Sequence, residues 1–239
     1  MTNGIIDSSQ KIITNGLQLN FDAAQLRSYA GSGTTINDLS GNNRNGSLIN
    51  GVGFNSSNGG SLVFDGVNDN VNCGNILNIG LNSWTVSCWV KLNTGSGTMG
   101  IIGKTSQRSY VGRYAIWIES NLINSIFQPA SNYMVTTSVI PYVDSKFHNI
   151  TLTINRTGLM TLYVDSNSVG TPVDISSTSG VNMNTSTDFL YLGAYGNNTG
   201  QVPALFLNGN IGQAQIYNRA LTSTEILQNF NANKKRYGL

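Results

Sequence analysis

The residues most often used for chemistry are few and scattered in this chain. Glutamate occurs only at Glu119 and Glu225, histidine only at His148, and cysteine only at Cys73 and Cys88. Glycoside hydrolysis needs two carboxyl groups flanking one bond, one as acid and one as nucleophile or base. Glu119 has no acidic neighbour in sequence, and Glu225 stands in a T-x-x-E pattern with Thr222, the signature of a helix capping box. His148 alternates with Ile150 and Leu152, which fits a strand-face residue better than a general base. One histidine and two separated cysteines do not make a zinc site. The nucleophile-elbow, P-loop and dinucleotide patterns are absent. The expectation is a protein that is not an enzyme.

Recognition chemistry is better represented. Sugars bind where aromatic rings meet apolar faces and amides or charges meet hydroxyls. "QRSYVGRYAIW" offers Tyr110, Arg113, Tyr114 and Trp117, and "GAYGNNTG" offers Tyr195, Asn197 and Asn198. Tyr110 and Tyr195 flank turns, which favours them over the mid-strand rings. Calcium takes carboxylate, carbonyl and amide oxygens. Asp22, Asp65 and Asp69 are its candidates, because "FDA" and "FDGVND" place carboxylates at strand ends. The alternative is that these aspartates bond their own turns.

Strands must position these groups. Period-two alternation runs through residues 17–22, where Leu17, Leu19 and Phe21 share a face, and through 61–64, 113–119, 148–154, 159–165 and 189–195. "WTVSCWVKL" (84–92) is apolar on both faces and suits a central strand. Clusters such as "SGNNRNG", "NSSNGG" and "GNNTG" separate the runs. This pattern predicts an all-β antiparallel sandwich. The one helical signal follows Thr222, with Leu221 and Ile226 as a staple and Ile226, Leu227 and Phe230 as its apolar stripe. Such a helix is expected to cover a sheet edge or an open end. The organisation is read as an N-terminal arm (1–15) and one domain (16–239) that ends in this helix and a short basic tail.

Charged residues make up 10% of the chain and the net charge is +2, so electrostatics disfavours nucleic acid as a partner. No run approaches the roughly 20 apolar residues of a membrane span. The first residues lack the basic-then-apolar pattern of a secretory signal. Cys73 and Cys88 read as buried free thiols, with a bridge between neighbouring strands as the alternative.

Six blocks in order then carry a resemblance. "GLQLNFDA", "YAGSGTTINDLSGNNRNGSLING", "GGSLVFDGVNDNVN", "WTVSCWVK", "LYVDSNSVG" and "GNIGQAQIYNRALTSTEILQNF" are similar to the laminin-G-like, concanavalin A-like lectin/glucanase superfamily. The resemblance implies a jelly-roll sandwich of two antiparallel sheets, often with glycan bound on a face or rim and a structural calcium near a rim. Glycosidases of this fold carry an E-x-D-x-E strand, which this chain lacks. Two positions depart from the pattern. Ile211-Gly212-Gln213-Ala214 stands where many bacterial members have Ile-Asp-Glu-Val, and Ser166 stands where Gly is usual. The ending "NFNANKKRYGL" resembles versions in virion structural proteins of tailed bacteriophages. That implies a non-enzymatic virion surface protein, a capsid decoration or a tail or fibre appendage, assembled in the host cytoplasm. Its partners would be other virion proteins, cell-surface glycans and further copies of itself. The alternative is a carbohydrate-binding module of a bacterial cell-surface protein. In the virion reading the arm, with Ile5–Ile6 and Ile12–Ile13, and the tail, with Lys234, Lys235, Arg236 and Tyr237, are expected to attach the protein to its partners.

Overall fold

The computed structural model describes residues 11–105, 112–129, 142–184, 187–196 and 201–239, and the backbone of 134–139. Two antiparallel sheets of eight strands face each other. The first runs β14 (Asn167–Asp174), β13 (Leu159–Val164), β12 (Phe147–Ile154), β7 (Trp84–Leu92), β18 (Asn208–Tyr217), β5 (Ser61–Asp65) and β4 (Gly53–Asn55), with β1 (Leu17–Asp22) also on β18. The second runs β11 (Met134–Val139), β10 (Leu122–Gln128), β9 (Arg113–Glu119), β8 (Thr98–Lys104), β15 (Leu190–Leu192), β6 (Asn70–Asn72), β3 (Gly46–Ile49) and β2 (Thr35–Ile36). A two-stranded ribbon, β16 (Tyr195–Gly196) with β17 (Pro203–Ala204), completes the strands.

Alternation builds the core. On the first sheet Val86, Cys88 and Val90 of β7, Ile150, Leu152 and Ile154 of β12, and Ile211, Ala214 and Ile216 of β18 point inward. They meet Met99, Tyr114, Ile116, Ile118, Ile123 and Phe127 of the second sheet. Cys73 and Cys88 belong to this core as free thiols, and burial pushes Cys73 up to about 12. Leu19 and Phe21 are inward as expected, but a register shift at the start of β1 turns Leu17 to the other side. Strand β18 carries the second irregularity. It pairs with β7 along its length, with β5 over residues 208–211 and with β1 over residues 213–217, and its register shifts at Gly212.

The closing helix α1 (Ser223–Asn233) has its capping box: Glu225 N donates to Thr222 Oγ1 and Thr222 N donates to Glu225 Oε2 at 2.9 Å. It lies over the outer face of the first sheet, not at an edge or open end. Ile226 and Leu221 pack with Tyr217, and Phe230 stacks on Trp89 with ring centroids 5.5 Å apart. Leu227, placed on the stripe from its spacing, is exposed; Asn229 is buried in its stead and donates to Tyr217 Oη at 3.1 Å. A strand face that already carries the Tyr217 hydroxyl rewards a polar helix residue that satisfies it.

The described parts of both chain ends pack on the sandwich. Residues 1–10, with Ile5 and Ile6, lie outside the described residues. Ile13 packs beside Tyr217, its N–H donates to Asn229 Oδ1 at 2.7 Å, and its carbonyl accepts from Tyr217 Oη. At the other end Lys234–Tyr237 forms a 3-10 turn, with Tyr237 buried between Trp89 and Phe147. Gly212 explains itself here, because a Cβ at that position would stand 2.2 Å from Tyr237 Oη. The usual Asp could not coexist with this tail.

Candidate functional site

The residues expected to bind glycan separate in the structure. On β9 the side chains alternate, so Arg113, Trp117 and Glu119 face outward from the second sheet while Tyr114 faces inward. Tyr114 is therefore corrected from binding residue to core residue. Its hydroxyl donates to Leu77 O at 2.9 Å, and burial raises its phenol well above the ordinary range. Tyr110, Asn197 and Asn198 lie outside the described residues.

Arg113, Trp117 and Tyr195 do come together. Arg113 Nη2 donates to Tyr195 Oη at 2.8 Å and Nη1 to Gln128 Oε1 at 3.0 Å, while the Trp117 and Tyr195 rings meet edge to face at 5.9 Å. The neighbouring strand allows this. The outward positions of β8 are Gly100 and Gly103, and a Cβ on Gly100 would stand 2.3 Å from the backbone of Ala194. The chain leading into β16 thus lies directly on β8 and brings Tyr195 to Trp117. Each of the three exposes less than a tenth of its surface. Arg113 bonds Tyr195 and Trp117 Nε1 donates to Glu119 Oε2 at 3.2 Å, so the cluster acts as a packed knot holding the β16–β17 ribbon down.

An open site lies at the rim. The turns after β5 and β7 and the segment entering β18 enclose a groove of about 380 Å³. Asp65, Thr94, Ser96, Thr98 and Asn208 supply polar groups, and Leu205 and Phe206 supply apolar surface. Gly66, at φ +81°, lets the turn pass Asn208, since its Cβ would stand 2.9 Å from Asn208 Cβ. Asp65 Oδ1 accepts from Val67 N–H at 2.8 Å and holds the turn, and its second oxygen has no bonded partner among the described residues. Asn208 is oriented by Asn93, whose Nδ2 donates to Asn208 Oδ1 at 2.9 Å. Hydroxyls, a carboxylate, an amide and a half-buried ring in an open wet groove can bond a polyol and cover one apolar face. Sequence reasoning reached Asp65 but not the rest. "NTGSG" reads only as a turn and residues 205–208 carry no signal of their own, and residues 65, 94–98 and 205–208 meet through the sandwich closure alone.

The calcium candidates do not form one site. Asp22 Oδ1 is taken by Arg236 Nη1 at 2.6 Å, and Asp22 pairs with Gln213 while Asp65 pairs with Asn208, farther along β18. Asp69 Oδ2 accepts from Asp65 N–H at 3.2 Å, and burial raises its carboxyl. Among the described residues no three His, Cys, Asp or Glu side chains converge as metal ligands. The bonds seen at Asp65 and Asp69 are those of turn-organising aspartates. The two glutamates are on opposite sides of the sandwich, Glu119 on β9 and Glu225 in a bidentate pair with Arg219 on the helix side.

His148 has a role of its own. Nδ1 lies 2.7 Å from Asp165 Oδ2, Nε2 lies 3.2 Å from Asp144 Oδ1, and the Tyr142 ring is 4.5 Å away. Burial works to lower its pKa, but the bonds and charges of the two carboxylates outweigh this and raise it above 6.5. A raised histidine stabilises the fold fully below its unfolded value and stops doing so as pH rises through the folded value. His148→Gln is therefore expected to cost most at about pH 6 and much less at about pH 9. Paired thermal melts of both proteins check this, and a penalty that grows with pH would refute it.

The fold and the rim groove define a lectin-like sandwich. The comparisons agree. The family model described as "Concanavalin A-like lectin/glucanases superfamily" matches residues 64–227, and the chain belongs to that family. Solved structures with the same fold include the binding domain of Paraclostridial Mosquitocidal Protein 1 (16% identity, TM-score 0.70, covering 92% of this chain and 52% of that one). The binding domain of botulinum neurotoxin DC, solved with rat synaptotagmin II, is similar at 17% identity and TM-score 0.67, covering 92% and 52%. So is botulinum neurotoxin type C, whose cell entry depends on two ganglioside molecules, at 16% and 0.68, covering 92% and 52%. The chain spans about half the length of these structures. No curated protein sequence matches it. Among the described residues no helix is long and apolar enough to cross a membrane.

Proposed function

We propose that the chain is a non-enzymatic recognition module that holds a glycan in the rim groove, on the surface of a bacteriophage virion as a capsid decoration or a tail or fibre appendage. The observation that carries the binding reading is the groove itself, with Asp65 and Asn208 beside the half-buried Phe206 and no need for chain rearrangement. Asp65 and Asn208 take sugar hydroxyls, the hydroxyls of Thr94 and Thr98 extend the network, and Phe206 and Leu205 cover a ring face. The virion reading draws on the resemblance of the closing "NFNANKKRYGL". Because Ile13 and the segment 234–237 pack on the sandwich, attachment to other virion proteins would use a sandwich face or residues 1–10. The second reading, a carbohydrate-binding module of a bacterial cell-surface protein, is favoured by one fact: structures of this fold carry it within chains about twice as long.

A glycan array followed by titration calorimetry tests the groove. Asp65→Asn, which keeps the Oδ1 acceptor of the turn, and Phe206→Ala are each expected to weaken the best ligand at least tenfold, about 1.4 kcal/mol. Trp117→Ala is not expected to act on binding directly. A folded sample that binds nothing on the array refutes the lectin reading, and binding that survives both groove variants moves the site elsewhere. Finding the protein in peptide maps of purified phage particles would support the virion assignment, and finding it only in bacterial envelopes would favour the second reading.

A further inference from the structure

Lys104 ends β8 on the inner side of the second sheet and is fully buried. Its cross-strand neighbours, Leu190 on β15 and Tyr114 on β9, are fully buried as well. Its Nζ donates to Asn75 Oδ1 at 2.6 Å and to Ile76 O at 3.0 Å. A third group is brought to the same place. Leu190 N–H donates to Gly74 O at 2.9 Å, which fastens the Asn75 loop to the chain two residues after Asp188. Asp188 is fully buried, and its charge acts on Lys104. A primary amine therefore bonds a carboxamide at the edge of the core, with a buried carboxylate near enough for its charge to act on the amine, away from the rim groove. Glycan binding gives none of them a task.

We propose that Lys104 and Asn75 join in an intramolecular isopeptide bond, with Asp188 moving the proton. Burial disfavours the ammonium, and although Asp188 opposes this, the amine falls to about 8. A neutral, nucleophilic fraction is then present near neutral pH. The Nζ lone pair attacks Asn75 Cγ and the carbonyl electrons move onto Oδ1. Asp188 accepts a proton from Nζ and returns it to Nδ2. The carbonyl re-forms, the Cγ–Nδ2 bond breaks, and ammonia leaves. One C–N bond replaces another, so no oxidant or reductant is needed. Asn75 itself reaches solvent, which gives the ammonia an exit. The product ties β8 to the loop after β6 and shortens the unfolded chain, which stabilises the fold.

Intact-mass spectrometry and peptide mapping of the full chain test this. The expected folded protein is lighter than its sequence by one ammonia and yields a branched peptide joining Asn75 to Lys104, with no tryptic cut after Lys104. Asp188→Ala and Asn75→Ala, checked by circular dichroism, are expected to leave Lys104 free and cleavable. Asn75→Asp should lose water instead of ammonia. If the variants fail to fold, the wild-type map alone decides. Linear peptides of full mass, cut after Lys104, overturn the proposal. So does an ammonia loss confined to a linear Asn75 peptide, which is a succinimide and not a crosslink.

Discussion

Deleting residues 234–239 is expected to remove most of the stability of the domain. The segment looks like a dispensable basic tail, but Tyr237 stacks on Trp89 with centroids 4.3 Å apart and meets Phe147 at 4.7 Å. Losing a buried aromatic side chain costs about 3–5 kcal/mol. Arg236 adds a second contribution. Its guanidinium takes Asp22 Oδ1 at 2.6 Å, Asn58 O at 2.8 Å and Gly60 O at 2.9 Å. Without it the buried Asp22 carboxylate is left without its cation, and removing one partner of such a pair typically costs about 3–5 kcal/mol when both are buried. Arg236 is only partly buried, so its share lies below that range. The combined loss is about 5 kcal/mol, comparable to the whole stability of many domains. Urea unfolding followed by tryptophan fluorescence measures it. A truncated chain whose melting temperature falls by less than about 3 °C would show that the tail is not structural. Removing residues 238–239 alone is the control and should act weakly.

The second large effect is expected at Arg156, a buried cation held by carbonyls. Its Nη1 donates to Gly80 O at 3.2 Å, its Nη2 to Thr178 O and Val181 O, and its guanidinium lies 5.2 Å from the centre of the Phe127 ring. Burial lowers its pKa. One planar fork satisfies acceptors from the approach to β7 and from the loop between β14 and β15. Arg156→Met keeps the stem but leaves those carbonyls without a donor, at about 1–3 kcal/mol for each group that water cannot reach. A total of about 3–5 kcal/mol is expected. Arg156→Lys should recover only part, because a point charge cannot fork to three acceptors. Chemical denaturation of the two variants beside the parent checks the order. Equal stabilities for Met and Arg would mean that water replaces the guanidinium.

The long alternating strands were legible because a sandwich writes its two faces directly into a period of two. Leu17–Asp22, Trp84–Leu92 and Arg113–Glu119 have the boundaries that their patterns predict, and Tyr114, Ile116 and Ile118 share the inner face of β9. The capping box of Thr222 and Glu225 was equally plain, since both partners are local. What stayed hidden depends on contacts distant in sequence. β8 carries no alternating run in the sequence, since Gly100 and Gly103 hold outward positions, yet Gly100 is required by the backbone of Ala194 that crosses it and Gly103 by Ala115 on the neighbouring strand. Residues 189–195 read as one strand, but Gly193, at φ +72°, breaks it and starts the path to β16. Ser166, at φ +67°, occupies a left-handed turn position that usually takes glycine, in keeping with the departure seen in its motif. For the candidate site, Arg113, Trp117 and Tyr195 come from two separate stretches and meet in the structure. Their burial, and the rim groove that offers an open alternative, follow from how three separate turns meet.

The position of β18 has a consequence for how the protein is made. The second-last element in the chain fills the middle of a sheet, between β7 on one side and β5 and β1 on the other. Until residue 217 has left the ribosome, the first sheet is split into two halves with bare edges, and the inward faces of β7 and β12 have no completed floor beside them. Nascent chains therefore carry long apolar strands with unpaired edges until β18 has been made, a state prone to pairing with other chains. Folding must wait for contacts between the two ends, which is slow by topology. The low charge of the sequence adds little repulsion to protect that interval. Production yield should respond to translation speed and chaperone supply more than to changes on the finished surface.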